Sequence, residues 1–92
     1  MEDRVKAHVY IYGDVQGVFF RRSAKIKAEE LEVVGWVKNS DDGGVEVVCQ
    51  GRKNNVNRFI AWCKKGPPLS KVKKIEVEWR KKLESLDNFE VR

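Results

Sequence analysis

The sequence is poor in the residues from which nucleophilic and metal sites are built. Its 92 residues include one histidine and two cysteines. The single His8 leaves no Cys-His or Ser-His-Asp constellation, which argues against a covalent nucleophile. Cys49 and Cys63 are too few for a disulfide scaffold and lack metal-ligand spacing, so we expect both to be small core residues. The sequence therefore predicts neither a metal nor a cofactor.

Long apolar runs are missing as well, and no leader segment is expected. The longest apolar run is a few residues, whereas a membrane-spanning helix needs about 20. The first four residues, Met1 to Arg4, carry charges and lead directly into a strand-like pattern, so no signal or transit peptide is expected. We predict a cytoplasmic protein that is a monomer and has no membrane segment.

The length and the charge balance set further bounds. A chain of 92 residues has room for one modest core, so residues 1–92 are predicted to form a single domain. Lys and Arg number 19 and Asp and Glu number 14, which leaves a net charge of +5. This excess favours anionic partners, but it does not distinguish nucleic acid from small phosphorylated molecules.

The hydrophobic pattern alternates between strand and helix periods. Apolar residues at every second position predict strands, and Phe20, Ala24, Ala28 and Leu31 share one helical face. We expect Trp79 to lie in the core or at its edge, and Asn54 or Asn55 to cap the second helix. The predicted elements are strands 5–12, 33–39, 45–50 and 72–79, helices 20–31 and 54–65, a turn at 40–44 and a possible short strand at 89–91.

This order of elements predicts a ferredoxin-like α+β sandwich. A β-α-β-β-α-β order with right-handed crossovers places two helices on one face of an antiparallel sheet. The first and second strands should then flank the third. The other sheet face would be open to water and would carry His8, Tyr10, Tyr12 and Trp36.

The segment Gly13–Arg21 contains the features of a phosphate cradle. It joins a strand to a helix, contains two glycines and ends in arginine. The first turn of a helix has N–H groups without intrahelical partners, and its dipole favours an anion. A guanidinium adds a planar fork of donors that matches phosphate. The alternative interpretation is an ordinary strand-to-helix turn with an exposed arginine.

Asn39 ends the second strand just before the turn at 40–44. Asparagine often initiates turns, so a structural role is one interpretation. The other is that its amide orients a water molecule, since the topology allows Asn39 to come near the loop that follows the first strand.

Two long motifs resemble those of the acylphosphatase family. The first runs from Ile11 to Arg21, and the second from Gly35 through Asn39 to Gly51. The resemblance implies hydrolysis of acyl phosphates to a carboxylate and inorganic phosphate, with Arg21 and Asn39 as the catalytic residues. It also implies that phosphate is bound through main-chain N–H groups of one loop: Val15, Gln16, Gly17, Val18, Phe19 and Phe20.

The same resemblance suggests a mechanism and one departure. An acyl phosphate is an activated anhydride, so water can attack phosphorus with no metal and no covalent intermediate. Many family members end in an aromatic residue, whereas this chain has Arg92 there. We therefore expect that a contact between the end of the chain and Arg21 differs here.

Two alternatives belong to other classes of protein. An RNA-recognition-like module shares this order of elements and stacks bases on sheet aromatics, as Tyr10, Tyr12 and Trp36 would permit. The third strand, 45–50, has no aromatic residue, and Glu46, Glu76 and Glu78 would repel phosphates, which makes this alternative less favoured. The same resemblance implies a regulatory class as a further alternative, because the family's domain is also found fused in larger carbamoyl-transfer proteins. Since this sequence shows no second domain, we expect a free-standing hydrolase.

Overall fold

The computed structural model describes residues 3–92. Met1 and Glu2, part of the N-terminal segment used above to predict that no leader is present, lie outside the described residues. None of the helices within 3–92 is long and apolar enough to cross a membrane. The elements are β1 (Arg4–Asp14), α1 (Phe20–Glu30), β2 (Val34–Asn39), β3 (Val45–Arg52), α2 (Lys53–Lys65), β4 (Lys71–Arg80) and β5 (Phe89–Val91).

The five strands form one sheet in the order β4-β1-β3-β2-β5. Strands β1 and β2 flank β3 and both run antiparallel to it, which confirms the ferredoxin-like prediction. The short β5 adds to β2 in parallel, with Gly35 opposite Phe89 and Val37 opposite Val91, so the complete sheet is mixed. Because β4 and β5 lie at opposite edges, residues 81–88 must cross from one edge of the sheet to the other.

A pair of hydrogen bonds fixes this crossing segment. The Gln50 amide donates to the carbonyl oxygen of Glu84 at 2.8 Å, and the Glu84 N–H donates to Gln50 Oε1 at 2.8 Å. Gln50 is buried, so both polar ends of its amide need partners. The Lys6 ammonium also pairs with the Glu84 carboxylate. This clamp guides the chain toward β5.

Both helices pack on one face of the sheet. Helix α1 lies on β2 and β5, while α2 lies on β1, β3 and β4. The core contains both cysteines, as predicted, and burial raises the pKa of the Cys49 thiol to about 12. The other buried helix residues are Phe20, Ala24, Ala28, Val56, Phe59 and Ile60.

Two local predictions are wrong. Trp79 stands opposite Ala7 on the core side of β4, yet its side chain is 53% exposed. β4 is an edge strand with a neighbour on one side only, so the end of this strand is incompletely covered. Helix α2 begins at Lys53, not at Asn54 or Asn55, and Arg52 in an extended conformation occupies the cap position. β3 runs into the helix with no intervening loop, which leaves no place for an asparagine cap.

Candidate active site

A β-bulge starts the loop between β1 and α1. The pairing of β1 with β4 shifts register between Tyr12 and Gly13. Gly13 has φ +136°, and a Cβ at this position would lie 2.1 Å from the carbonyl oxygen of Lys71. A side chain here would therefore displace the strand, so the entry to the loop requires glycine.

The loop ends in an unusual helix cap. Phe19 occupies the cap position in the left-handed conformation, with φ 63° and ψ 23°, and no side chain of the described residues caps the helix. The first internal bond runs from the Ser23 N–H to the Phe19 carbonyl oxygen at 3.0 Å. The N–H groups of Phe20, Arg21 and Arg22 therefore have no acceptor within the helix. Such a helix terminus attracts an anion.

A cavity of about 270 Å³ lies in front of this helix terminus. It brings Arg21 and Asn39 together, although they are 18 positions apart in the sequence. Its lining residues are Val15, Gly17, Phe19, Phe20, Arg21, Arg22, Asn39 and Val91. Four of the six predicted loop residues are in this set, while Gln16 and Val18 are not. Asn39 stands opposite Val45, the last pair of the β2–β3 ladder before the turn, so its position is set by the sheet.

Gln16 joins the loop to the β2–β3 turn. Its amide nitrogen donates to the carbonyl oxygens of Ser40 at 2.9 Å and Gly44 at 2.8 Å. The loop and the strand end that carries Asn39 are therefore held together by one side chain. The resemblance predicts only a main-chain role for Gln16, and a glutamine beside a glycine gives no signal for this contact.

The Arg21 guanidinium is held by the residue that follows β5. Its Nη1 donates to the main-chain oxygen of Arg92 at 2.8 Å. The Arg92 side chain turns instead toward Glu90, at 3.3 Å, and lies 4.9 Å from the Trp36 ring. Because any residue supplies a main-chain oxygen, the contact to Arg21 is present with arginine at position 92.

The electrostatic field of the cavity is positive. Arg21 and Arg22 both line it, beside the uncompensated N–H groups of the first turn of α1. Asp14, the acidic residue of the motif, is exposed at the end of β1 and is not among the lining residues. Arg22 and Val91 also line the cavity, although neither was predicted from the sequence. The adjacent pair of arginines was a usable signal for the first, whereas the second depends on where β5 docks.

The turn that carries Asn39 is closed by its own side chains. Ser40 Oγ donates to Asp42 Oδ1 at 2.7 Å, and the Gly44 N–H donates to the same oxygen at 3.0 Å. These two hydrogen bonds, that of Ser40 first, hold the pKa of the Asp42 carboxyl below its ordinary value. This agrees with the prediction of a turn at 40–44.

Aromatic residues lie together on the open sheet face, as predicted. His8 stacks on Tyr10 with ring centroids 4.6 Å apart, and Trp36 meets the His8 ring edge-on at 5.7 Å. His8 Nε2 lies 2.6 Å from a carboxylate oxygen of Glu46. The aromatic rings are thus packed against one another and next to an acidic side chain, which is unfavourable for stacking bases of an RNA.

Fold and site together define a class of small α+β domains with an anion-binding cavity at the first helix. The family model described as acylphosphatase matches residues 7–91, and the chain belongs to this family of hydrolases. An acylphosphatase of Thermococcus kodakarensis is 48% identical to it over 96% of each chain. An acylphosphatase from Coxiella burnetii has 40% identity and a TM-score of 0.93, over 98% of this chain and 94% of that one.

A larger protein contains a similar domain. The structure of HypF from T. kodakarensis matches 96% of this chain with a TM-score of 0.82 and 31% identity. The match covers 12% of the HypF chain. The fold therefore occurs both in acylphosphatases of this size and as a small part of a longer protein.

Proposed function

We propose that this chain hydrolyses acyl phosphates in the cavity at the N-terminus of α1, with Arg21 and Asn39 as catalytic residues. The observation that supports this most strongly is their convergence. Arg21, Asn39 and the first turn of α1 line one cavity, and the N–H groups of that turn have no acceptor within the helix. These are donors of the kind that a phosphoryl group requires.

The phosphoryl group binds to the loop in this proposal. Main-chain N–H groups of Val15, Gln16, Gly17, Val18, Phe19 and Phe20 form the cradle. Gly17, with φ +73°, and Phe19, with φ 63°, turn the chain where the cradle needs it. Arg21 donates to the phosphoryl oxygens through the face of its guanidinium that Arg92 leaves free. Because charge accumulates on those oxygens in the transition state, these donors lower the barrier.

The attack on phosphorus is made by water. Asn39 orients the water opposite the leaving carboxylate, a new P–O bond forms, and the bond between phosphorus and the acyl oxygen breaks. The carboxylate departs with that electron pair, and a phosphoryl oxygen accepts the proton of the water. A carboxylate is a good leaving group, so no strong general acid is required.

The positive field makes a metal unnecessary in this mechanism. Arg21, Arg22 and the helix terminus supply the charge that Mg²⁺ provides in other phosphoryl transfers. The products are a carboxylate and inorganic phosphate, and inorganic phosphate should therefore inhibit competitively. A cytoplasmic location and a monomeric state stay predictions.

One assay tests the proposal. Purified protein is given benzoyl phosphate and, separately, p-nitrophenyl phosphate, each with and without EDTA. We expect hydrolysis of the anhydride, little hydrolysis of the ester, and no effect of the chelator. Loss of activity with EDTA and its return with Mg²⁺ would contradict the metal-free mechanism. Absence of benzoyl phosphate hydrolysis, with salt-dependent binding of single-stranded RNA, would favour the alternative function.

A further inference from the structure

A second hollow lies beside the proposed phosphate cavity. This groove, of about 580 Å³, runs between α1 and the segment that follows α2. Its volume is in the range of small-molecule sites. We call it the acyl groove, and its lining residues are Ser23, Ile26, Lys27, Trp62, Lys65, Gly66, Pro67 and Pro68.

The acyl groove and the phosphate cavity share a wall. Phe20 lines the cavity, and its ring packs on the ring of Trp62, which lines the groove, with centroids 5.4 Å apart. Gly66 closes against the same Phe20 ring, where a Cβ would lie 2.7 Å from a ring carbon. Phe20 therefore contacts two residues of the groove, Trp62 and Gly66, and itself lines the cavity.

Helix α1 also joins the two hollows along its surface. Arg22 lines the cavity and Ile26 lines the groove, and residues four apart are neighbours on a helix. Ser23, which also lines the groove, donates its N–H to the Phe19 carbonyl oxygen. An acyl chain that extends from the bound phosphoryl group past Phe19 therefore reaches the groove within about one helical turn, ~5 Å.

The path between the hollows is apolar and exposed. Phe19 is 69% exposed and Ile26 is 59% exposed. A bulky residue at positive φ is strained, and Phe19 does not offset that strain by burial in the core. Lys27 and Lys65 also line the groove, and the Lys27 ammonium lies 3.1 Å from the Glu30 carboxylate. Lysine can cover apolar surface with its alkyl stem while its ammonium stays in water.

We propose that the acyl groove binds the acyl part of the substrate, so that acyl phosphates with extended apolar chains are preferred over short or polar ones. The proposal rests on the proposed function, since it takes the phosphoryl group to lie in the neighbouring cavity. Continuity with that cavity selects the occupant. An apolar chain attached to the bound phosphoryl group is already at the groove, whereas a separate partner would have to be ordered on binding.

The test is a series of substrates. We would measure kcat/KM for acetyl, butanoyl, hexanoyl and octanoyl phosphate, all below micelle-forming concentrations. Each methylene that is fully buried should raise kcat/KM by up to about fourfold, with smaller gains where the chain stays wetted. We expect octanoyl phosphate to exceed acetyl phosphate by at least about tenfold in kcat/KM.

Variants of Ile26 assign the preference to the groove. Ile26→Ser should lower the octanoyl-to-acetyl ratio of kcat/KM by about fivefold or more, and Ile26→Leu should preserve the ratio. Since Ile26 is exposed, neither change removes core packing. The matched control is Leu83→Ser, which alters another exposed aliphatic side chain that lines neither hollow.

The outcomes separate this proposal from the proposed function. If acetyl phosphate is hydrolysed but kcat/KM does not rise with chain length, the acyl groove has another occupant and the proposal is wrong. A rise that Ile26→Ser and Leu83→Ser leave equally unchanged also overturns it. If none of the acyl phosphates is hydrolysed, the proposed function itself fails.

Discussion

The two helices begin in ways that look alike in sequence and differ in structure. Neither has a side chain of the described residues as its N-terminal cap, and neither has an acidic residue in its first turn. Both carry cations there, Arg21 and Arg22 in α1 and Lys53 in α2. By the observed caps and the charges of their first turns, both termini would attract an anion equally.

The difference lies in what precedes each helix. Helix α2 follows β3 directly, and its first N–H, that of Lys53, donates to the Asp3 carbonyl oxygen at 2.9 Å. Helix α1 follows a five-residue loop that Gln16 ties to the β2–β3 turn, and its terminus faces a cavity. A helix terminus becomes a site for an anion when the chain before it leaves room and leaves the N–H groups unpaired.

The largest expected effect on kcat comes from removing the cation at the N-terminus of α1, and the matched removal at α2 is its control. Arg21→Ala should lower kcat for benzoyl phosphate by about 10³–10⁵-fold, the value typical of arginines that stabilise phosphoryl transfer. Arg21→Lys should restore little, because an ammonium lacks the planar fork. The matched change in α2, Lys53→Ala, should leave kcat unchanged. Equal losses in Arg21→Ala and Lys53→Ala would show that the two termini act only through the general field of the protein.

Asn39→Ala tests the strand end that faces α1. We expect kcat to fall by about 10²-fold, because misplacing the attacking water by about 1 Å has an effect of this size. The inhibition constant of inorganic phosphate should hardly change, since the amide of Asn39 is assigned to water. Asn57→Ala, which removes an exposed amide from α2, serves as the control. A folded Asn39 variant with wild-type kcat would refute the assignment.

Gln16→Leu removes the side-chain tether between the loop before α1 and the β2–β3 turn. Two hydrogen bonds to main-chain carbonyl oxygens are lost, each contributing about 0.5–1.5 kcal/mol. The loop should loosen, so the inhibition constant of inorganic phosphate should rise about tenfold and kcat/KM should fall by a similar factor. If thermal unfolding shifts while phosphate inhibition does not, Gln16 stabilises the fold without shaping the site.

Much of the architecture could be predicted because local patterns agree with the global fold. The period-2 alternation of β1 and the shared helical face of Phe20, Ala24 and Ala28 depend on residues two to four positions apart in the sequence. The structure confirms both predictions. Trp79 was misplaced because alternation tells which side of the sheet a residue faces, but not whether a helix covers that side.

The site was predicted in part for a related reason. Arg21 and Asn39 belong to motifs with fixed spacing, and the strand order brings those motifs together. The contacts of Gln16 with the turn and of Arg21 with Arg92 span 24 or more positions in sequence. Such contacts depend on loop conformation and on the docking of β5, and no local pattern encodes either.

The smallest expected effect concerns the turn that supports Asn39. The pKa of Asp42 is lowered in the folded protein by the hydrogen bonds from Ser40 and Gly44. A carboxyl with a depressed pKa contributes stability that is fully present above its unfolded pKa, about 3.9, and is lost as the pH falls through the lower folded value. Asp42→Asn removes the ionisation, so it should destabilise the protein at pH 6 and much less at pH 2.

Urea unfolding at pH 6, 4 and 2 measures whether the free energies of unfolding of wild type and Asp42→Asn converge as the pH falls. The pKa of Glu84 is lowered as well, by Lys6, so wild type and variant share that part of the acid dependence and only their difference is informative. Asp41→Asn, at a neighbouring exposed position, is the control and should track wild type at each pH. A constant gap between wild type and Asp42→Asn from pH 6 to pH 2 would show that the turn depends on the shape of the Asp42 side chain. The negative charge of Asp42 would then not be what holds the turn. The turn that positions Asn39 in front of α1 would therefore keep its structure in acid.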